Sequence, residues 1–564
     1  MKRGLEGAAG LALAVALVAA LTGGGIRIGP WTLPVREAWR PCLLAVALLG
    51  CRALLARRAA RSGGAVLGAS STLDSTLDVT LDAAFSVVCW CGTATAVLLW
   101  ANYQIRFCGG SDSYGYVSAA HALVNGQVIL PQPIVEWLPF PEALPVATPL
   151  GWAAAPSGNA IVPGYPLGLS VVMAIFMLVA GPGAEFYVPF AAGIGLLFLT
   201  YRLTARLTDW RIAAVATLVV AFNPVVMNMV IQPMSDVPAA FCYLLAVYVL
   251  LAAPTLLPVA GLAAGLCVWL RPSMVFMLPV LCWLLPRTRQ AWLRFAAGLV
   301  PVGAVVAGVQ WHLYGGPLKT GYGAVPGLFR LSMVAQNAPT YARWIAIVHS
   351  PLVFVAFALG VWRAPGRLVA ASTAGFVLGI LPYLFKAPYF DDFGLIRYIL
   401  PALIPCLLVA VIGVGDLMTR YLSRTAAIAA LTVFAIASAS YSYRVVAAEG
   451  TFQGVTQESR YAAVGAWIRD HTPPQSVVLA EIHSGSLRFY AHRTTLRFVM
   501  LPQDALAATV RAFARRGIAC FAAIDGEEEQ REFQQRFARE FAIVSVDPVG
   551  RVRDAIIYRL QMKG

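Results

Sequence analysis

The chain has 564 residues, of which 59% are hydrophobic and only 12% charged, and it carries a net charge of +15. Soluble domains carry about 25% charged residues, so the composition excludes a wholly soluble protein and points to a polytopic membrane protein with some soluble part. Up to Arg444 there are 27 Lys and Arg against 14 Asp and Glu, and beyond it 15 against 13; the surplus sits in short clusters between apolar runs, where it reports membrane orientation rather than a nucleic-acid surface.

Apolar runs able to cross a bilayer as ordinary, short or tilted spans lie at 8–25, 41–56, 81–102, 185–201, 212–231, 237–253, 256–270, 273–286, 291–312, 344–362, 368–386, 397–415 and 425–443. The first follows Lys2 and Arg3 as a signal peptide would. It continues into Gly23-Gly24-Gly25 without a small-x-small cleavage site, and is read as a retained anchor. Most cysteines lie inside these runs, with no CxxC pair or His/Cys metal spacing, so neither a zinc site nor a disulfide framework is expected. Ahead of the third run, STLDSTLDVTLD places Asp74, Asp78 and Asp82 on one helical face. Acids near a helix start suit its dipole; a cation site is the functional alternative.

A further run, Pro166–Val179, decides the topology. If it does not cross, the clusters Arg202/Arg206/Arg211, Arg287/Arg289/Arg294, Arg363/Arg367 and Arg420/Arg424 share the cytoplasmic side with Lys2, Arg3, Arg57, Arg58 and Arg61. The opposite choice exposes the ten later arginines outside. The run is therefore read as re-entrant or interfacial, with thirteen crossings and the N-terminus inside. Residues 103–165, the loop holding Asp236, the segments 312–343 and 386–397, and the tail from about Arg444 then lie outside.

From Glu458 the pattern becomes water-soluble. ESRYAAVGAWIRDH reads as an amphipathic helix, and SVVLAEI, TTLRFV, IACFAAID, FAIVSVD and DAIIYRLQ read as strands, with helices near 503–516 and 526–540. This alternation predicts a small α/β domain with a largely parallel sheet and a core of its own. In HSGSLRFY, the backbone of Ser484, Gly485 and Ser486 could meet an anion at a helix start, or form a capped turn. His483 either touches substrate or caps the sheet edge.

The outer face of the membrane half holds few acids: Glu37, Asp112, Glu136, Glu142, Asp236, Asp391 and Asp392. An acid at membrane depth is a functional candidate by default. The four aspartates each have a plainer alternative: Asp112 as N-cap of Ser113–Leu123, Asp236 as a cap, Asp391-Asp392 as a solvated turn. On a helix from Ser113, Tyr114, Val117, His121 and Val124 share a face with the acid at its start. Such a carboxylate is placed to take a proton from a hydroxyl. The basic residues of the same face are Arg106, Lys319, Arg330, Arg343, Lys386 and Arg397, and a phosphate leaving group needs such cations. Arg397 follows Asp392 by five residues, with a structural Arg–Asp pair as its alternative. Lys319 lies in GGPLKTGYG, a glycine-rich loop able to close over a substrate.

Three stretches, GGSDSYGYVSAA, QPMSDVPAAF and FDDFGLIRYILPALIP, together with HSGSLRFYAHR in the tail, carry a resemblance to a known family. The chain resembles the polytopic glycosyltransferases of the GT-C fold, the superfamily of protein O-mannosyltransferases and of the transferase that adds aminoarabinose to lipid A, and within it the bacterial branch. The likeness runs from about residue 81 to the end. It implies a polytopic α-helical membrane protein of GT-C type, with about thirteen transmembrane helices and a C-terminal soluble α/β domain. Residues 1–80 would be an added two-helix extension and linker, 81–444 the transmembrane domain with the large outer loop 103–165, and 445–564 the extracytoplasmic domain.

The resemblance further implies an inverting sugar transfer at the outer face of the cytoplasmic membrane. The donor would be a polyprenyl-phosphate sugar, the acceptor a hydroxyl of a lipid, glycan or protein, and a divalent cation optional. Asp112 would be the general base and Asp236 a second acid, with Arg397 and Lys319 on the donor phosphate. Tyr114, His121, Asp391, Asp392, His483 and Ser484 are the other substrate-contact candidates. Many members carry two adjacent acids in the first loop, where this chain has Asp112 followed by Ser113. The rivals are a transporter or flippase of an amphiphile, against which the lack of internal repeats speaks, and a non-catalytic envelope scaffold.

Overall fold

The computed structural model describes residues 25–28, 31–34, 69–323, 329–387 and 389–563. Of the first two expected spans, 8–25 and 41–56, all but Gly25 lies outside the described residues, as does Glu37. Strands β1 (Gly25–Ile28) and β2 (Trp31–Pro34) pair antiparallel.

Among the described residues, six helices are long and apolar enough to cross a membrane: Thr80–Asn102, Ala184–Leu207, Arg289–Tyr314, Gly366–Leu384, Phe393–Tyr421 and Arg424–Ala448. The chain is a multi-pass membrane protein. Two expected spans are broken rather than continuous. The run at 212–231 is two helices, Trp210–Ala221 and Pro224–Val230, bent by 58°. Pro224 has no N–H to continue the first helix, and the Asn223 side chain caps the second by accepting from Val225 N (3.0 Å) and Val226 N (3.1 Å). The run at 344–362 breaks by 90° between Leu331–His349 and Leu352–Arg363, where Ser350 turns to φ +65° ahead of Pro351. The runs at 237–253, 256–270 and 273–286 form shorter apolar helices, as does Leu167–Ala180. The last, at 14 residues, spans about 21 Å, which is short of a bilayer core.

The arginine-rich helix ends meet one another. Asp82, on the helix Ala69–Asn102, accepts from Arg211 Nε and Nη2 (both 2.8 Å) and from Arg424 (3.0 Å), so this acid holds three helices together instead of standing open to a cation. Asp416 lies 3.6 Å from Arg363 and 3.7 Å from Arg420. Arg397 stands before the start of Leu400–Tyr421, a helix of 22 residues and so about 33 Å long, and Arg420 near its end. The acids of interest thus sit at the opposite end from the arginine clusters.

The long loop after Asn102 contains the helix Asp112–Val124 and a small antiparallel sheet, with β3 (Leu130–Pro131) beside β5 (Ala160–Pro163) and β5 beside β4 (Trp152–Ala154). In the tail, the helix Gly454–His471 precedes a five-stranded sheet of order β7-β6-β8-β10-β9: β6 Val477–Leu479, β7 Thr494–Leu496, β8 Cys520–Asp525, β9 Val544–Val552 and β10 Ala555–Met562. Four of the five strands fall, to within one residue, inside the stretches the sequence marked, whereas β9, expected over FAIVSVD, starts three residues later and runs on to Val552. The sheet is mixed, however: β6 pairs parallel with β7 and β8, whereas β10 pairs antiparallel with β8 and β9. Val552 pairs with Ala555, and strands joined by two residues can only be antiparallel. Nor is the core of the sheet closed by the tail alone. Ile134, Leu138, Val146 and Ala147 of the loop share it with Val477, Leu479, Leu496 and Phe498.

Candidate active site

After the helix Ala69–Asn102 the backbone must turn before the next helix, and Gly110 takes φ +57°, a conformation open to glycine. Ser113 Oγ ties the turn by donating to Gly109 O (2.8 Å) and accepting from Gly109 N (3.1 Å). The helix then begins at Asp112, and no side chain caps it. Freed of capping, the Asp112 carboxylate faces away from its helix. Oδ1 accepts from the Tyr165 hydroxyl, and Oδ2 accepts from Arg397 Nη2 at 2.6 Å. Tyr165 also meets Ser111 Oγ at 2.9 Å. The Asp112 side chain is 27% exposed and that of Arg397 19%, so the pair is largely withdrawn from water. Burial pushes the Asp112 carboxyl up, but the Arg397 charge and the Tyr165 hydroxyl outweigh it and leave the group below the ordinary carboxylate range.

A second Arg–Asp pair stands beside the first. Asp236 opens the helix Asp236–Ala252 with Ser235 before it and no cap from its side chain; its carboxylate accepts from Arg271. Both members are buried, at 3% and 10% side-chain exposure, and a buried charge needs such a partner. Tyr116 of the Asp112 helix reaches Ser235 Oγ at 3.2 Å, which joins the two helix starts. Around the ring of Tyr398 gather Lys386 (4.0 Å), Arg397 (5.0 Å) and Arg271 (5.4 Å). Tyr383 stacks on Tyr398, ring to ring at 5.2 Å, and bonds Ser273 Oγ at 2.6 Å. Two carboxylates and three cations thus converge at one end of the helices. An apolar cavity of about 310 Å³ has a lining that includes Phe176, Phe241, Pro238 and Leu270; the last two are close chain neighbours of Asp236 and Arg271.

Of the residues the sequence proposed, Asp112, Asp236 and Arg397 come together. Arg397 pairs with Asp112 and not with Asp392. Lys319 is exposed, but its loop does reach the site. Gly321 packs on Gly164, and Tyr322 meets Tyr165 edge-on at 5.9 Å. Asp391 is held by Arg343 and by Trp344 Nε1 at 2.8 Å, and Asp392 is exposed. His121 bonds Glu185 (3.1 Å) and meets Phe489 edge-on; nine residues along the helix from Asp112, it lies about 13 Å away by rise. Tyr114 is buried against Gly485. Ser484 is fully buried and accepts from Leu150 N at 3.1 Å. His483 is fully buried between Asp525 and Ser486, 3.2 Å from each. The Ser484–Ser486 turn is therefore a docking contact for the loop and offers no open anion site.

Arg271, Tyr165, Tyr322 and Tyr398 were not chosen from the sequence. Arg271 carried the clearest signal, as a charge standing alone between two short apolar runs. In this arrangement Asp112 and Asp236 each hold a guanidinium, and among the described residues no three His, Cys, Asp or Glu side chains converge.

No family model matches the chain, and no curated protein matches its sequence. Among solved structures, it is similar to ArnT from Cupriavidus metallidurans in the apo state, with 12% identity, a TM-score of 0.50, and coverage of 83% of this chain and 97% of that one. ArnT bound to undecaprenyl phosphate (12% identity, 83% and 97% coverage) and the Archaeoglobus fulgidus oligosaccharyltransferase tethered with an acceptor peptide (12% identity, 84% and 74% coverage) both give a TM-score of 0.49. At such identity the likeness to ArnT speaks to fold alone: the chain has the GT-C fold.

Proposed function

We propose that this protein is an integral-membrane glycosyltransferase. It moves a sugar from a polyprenyl-phosphate carrier to a hydroxyl of a lipid, glycan or protein, with inversion, at the outer face of the cytoplasmic membrane. The observation that carries the reading is the meeting of a withdrawn carboxylate, Asp112, with Arg397, Arg271 and Lys386 beside an apolar cavity. A phosphate-headed lipid needs both halves, an apolar wall for its chain and cations for its head.

In this reading the acceptor oxygen attacks the anomeric carbon from the side away from the phosphate. Its proton goes to Asp112, and the bond to the phosphate oxygen breaks with both electrons leaving on phosphate. The cations stabilise that charge where it develops. A carboxylate held below its usual range is a weak base, so binding of the donor phosphate has first to draw Arg397 away from Asp112. Asp236 keeps Arg271 in place. Thirteen crossings, an inward N-terminus and an extracytoplasmic tail that positions the acceptor complete the proposal, with Asp236–Ala252, Pro254–Leu270 and Pro272–Leu284 as short or tilted spans.

The test is transfer of radiolabelled sugar from a polyprenyl-phosphate donor in proteoliposomes. Asp112→Asn is expected to abolish transfer while expression and donor binding stay near wild type. Full activity in that variant would remove Asp112 from the chemistry, and lipid uptake or scrambling without transfer would point to a transporter.

A further inference from the structure

We infer that Tyr461, in the C-terminal domain, is a positioning residue for Asp112, so that this domain frames the reaction centre; the inference rests on the reading of Asp112 as base. Asp112 lies three residues after Gly109. A Cβ built on Gly109 would fall 2.0 Å from the ring carbons of Tyr461, so the ring rests directly on the backbone of the turn. On either side of that contact the same domain grips again. Tyr490 OH accepts from Cys108 N at 2.9 Å, and Gly485 receives the ring of Tyr114, where a Cβ would come within 2.2 Å.

The turn transmits this hold. Both polar backbone groups of Gly109 are bonded to Ser113 Oγ, on the residue next to Asp112. Asp112 is thus fixed by Tyr165 and Arg397 at its carboxylate and by the C-terminal domain at its backbone. Tyr461 in turn has a rigid backing: it is 3% exposed, and its ring lies 5.1 Å from that of His483. His483 is locked to Asp525, which also lies 3.5 Å from Arg460. This buried network has no part in the proposed chemistry, and backing Tyr461 accounts for it. Misplacement of a reacting group by about 1 Å can cost about 10²-fold in rate.

Three full-length variants in proteoliposomes test the inference: Tyr461→Ala, Tyr461→Phe and Gly109→Ala. Tyr461→Phe keeps the ring and is expected to keep the wild-type rate. Tyr461→Ala and Gly109→Ala, which loosen or displace the turn from opposite sides, are expected to lower kcat by about 10²-fold. KM for the polyprenyl-phosphate sugar should hold, because Arg397 and Arg271 are untouched. The acid limb of kcat/KM, which reports the free enzyme, should move to higher pH as Asp112 loses its contact with Arg397. Wild-type kcat in Gly109→Ala and Tyr461→Ala, alongside an inactive Asp112→Asn, overturns the positioning role and leaves the base intact. Losses shared equally by kcat and donor binding, with the acid limb unmoved, also overturn it. An active Asp112→Asn instead removes the reading beneath it. Should Tyr461→Ala fail to fold, Gly109→Ala and Tyr461→Phe decide alone.

Discussion

Replacing Arg397 with glutamine separates two roles that the structure gives to one guanidinium. In the resting protein Arg397 donates to Asp112 at 2.6 Å and holds its carboxyl low; in the proposed reaction it stabilises the departing phosphate. Loss of the second role dominates. Removing one preorganised donor from a site of developing charge costs about 10²–10³ in rate, or about 2.7–4 kcal/mol. Loss of the first role works the other way, since Asp112 becomes a stronger base, but general-base catalysis as a whole contributes only about 10²–10⁴, of which a change in basicity alters a part. The expected net result is a fall in kcat/KM of about 10², with the acid limb of its pH profile displaced upward.

The same variant has a stability signature. The folded-state pKa of Asp112 lies below its unfolded value near 3.8. Its pair therefore contributes stability that is present above that value and lost as the pH falls through the folded one. Arg397→Gln should lower the midpoint of thermal unfolding at neutral pH and narrow its gap to the acid midpoint. Transfer assays across the acid and neutral range, paired with unfolding curves, measure both effects. An unchanged kcat/KM, or an acid limb displaced downward, would refute the reasoning.

Tyr165→Phe removes one hydrogen bond to the Asp112 carboxylate and leaves Arg397 in place. Without that bond the carboxyl rises toward the ordinary carboxylate range, so the acid limb of kcat/KM should move upward, by less than in Arg397→Gln. The loss of rate should be smaller than in that variant because the phosphate-side cations remain; an unmoved limb would count against the contact. In the tail, burial pushes the Glu529 carboxyl from 4.5 up to about 7, against hydrogen bonds from Asp525 N and Ile482 N. The folded state then holds the proton more tightly than the unfolded one, so stability declines as the pH rises from about 4.5 to about 7. Glu529→Gln should flatten that decline in thermal unfolding curves, and an unchanged slope would assign it to another group.

Much of the architecture is written locally. The helix starts at Asp112 and Asp236 follow from residues close in the chain, and the five tail strands follow from their own apolar pattern. Two breaks were equally local yet read as continuous spans: Asn223-Pro224 and Ser350-Pro351 sit within apolar runs, and apolarity alone does not register a missing backbone donor. The antiparallel β9–β10 pair was not legible: the apolar pattern ends at Asp547, which left six residues before the next strand, and only the extension of β9 through Val552 creates the two-residue connection that forces antiparallel pairing. Ser484 misled for a different reason. A serine beside glycine at a helix start looks the same whether its surroundings are water or another segment, and here Leu150 covers it.

By itself, then, the sequence determined that the chain is a membrane protein, which end of its helices carries the arginines, and which few acids stand at the other end, because hydropathy and charge act residue by residue along short segments. Only the tertiary structure decided that Arg397 belongs to Asp112 across 285 residues, that Arg271 belongs to Asp236, and that the first loop and the tail share one core. Such pairings are set by which segments the packed helices bring face to face, and a charge in the sequence carries no mark of the partner it will meet.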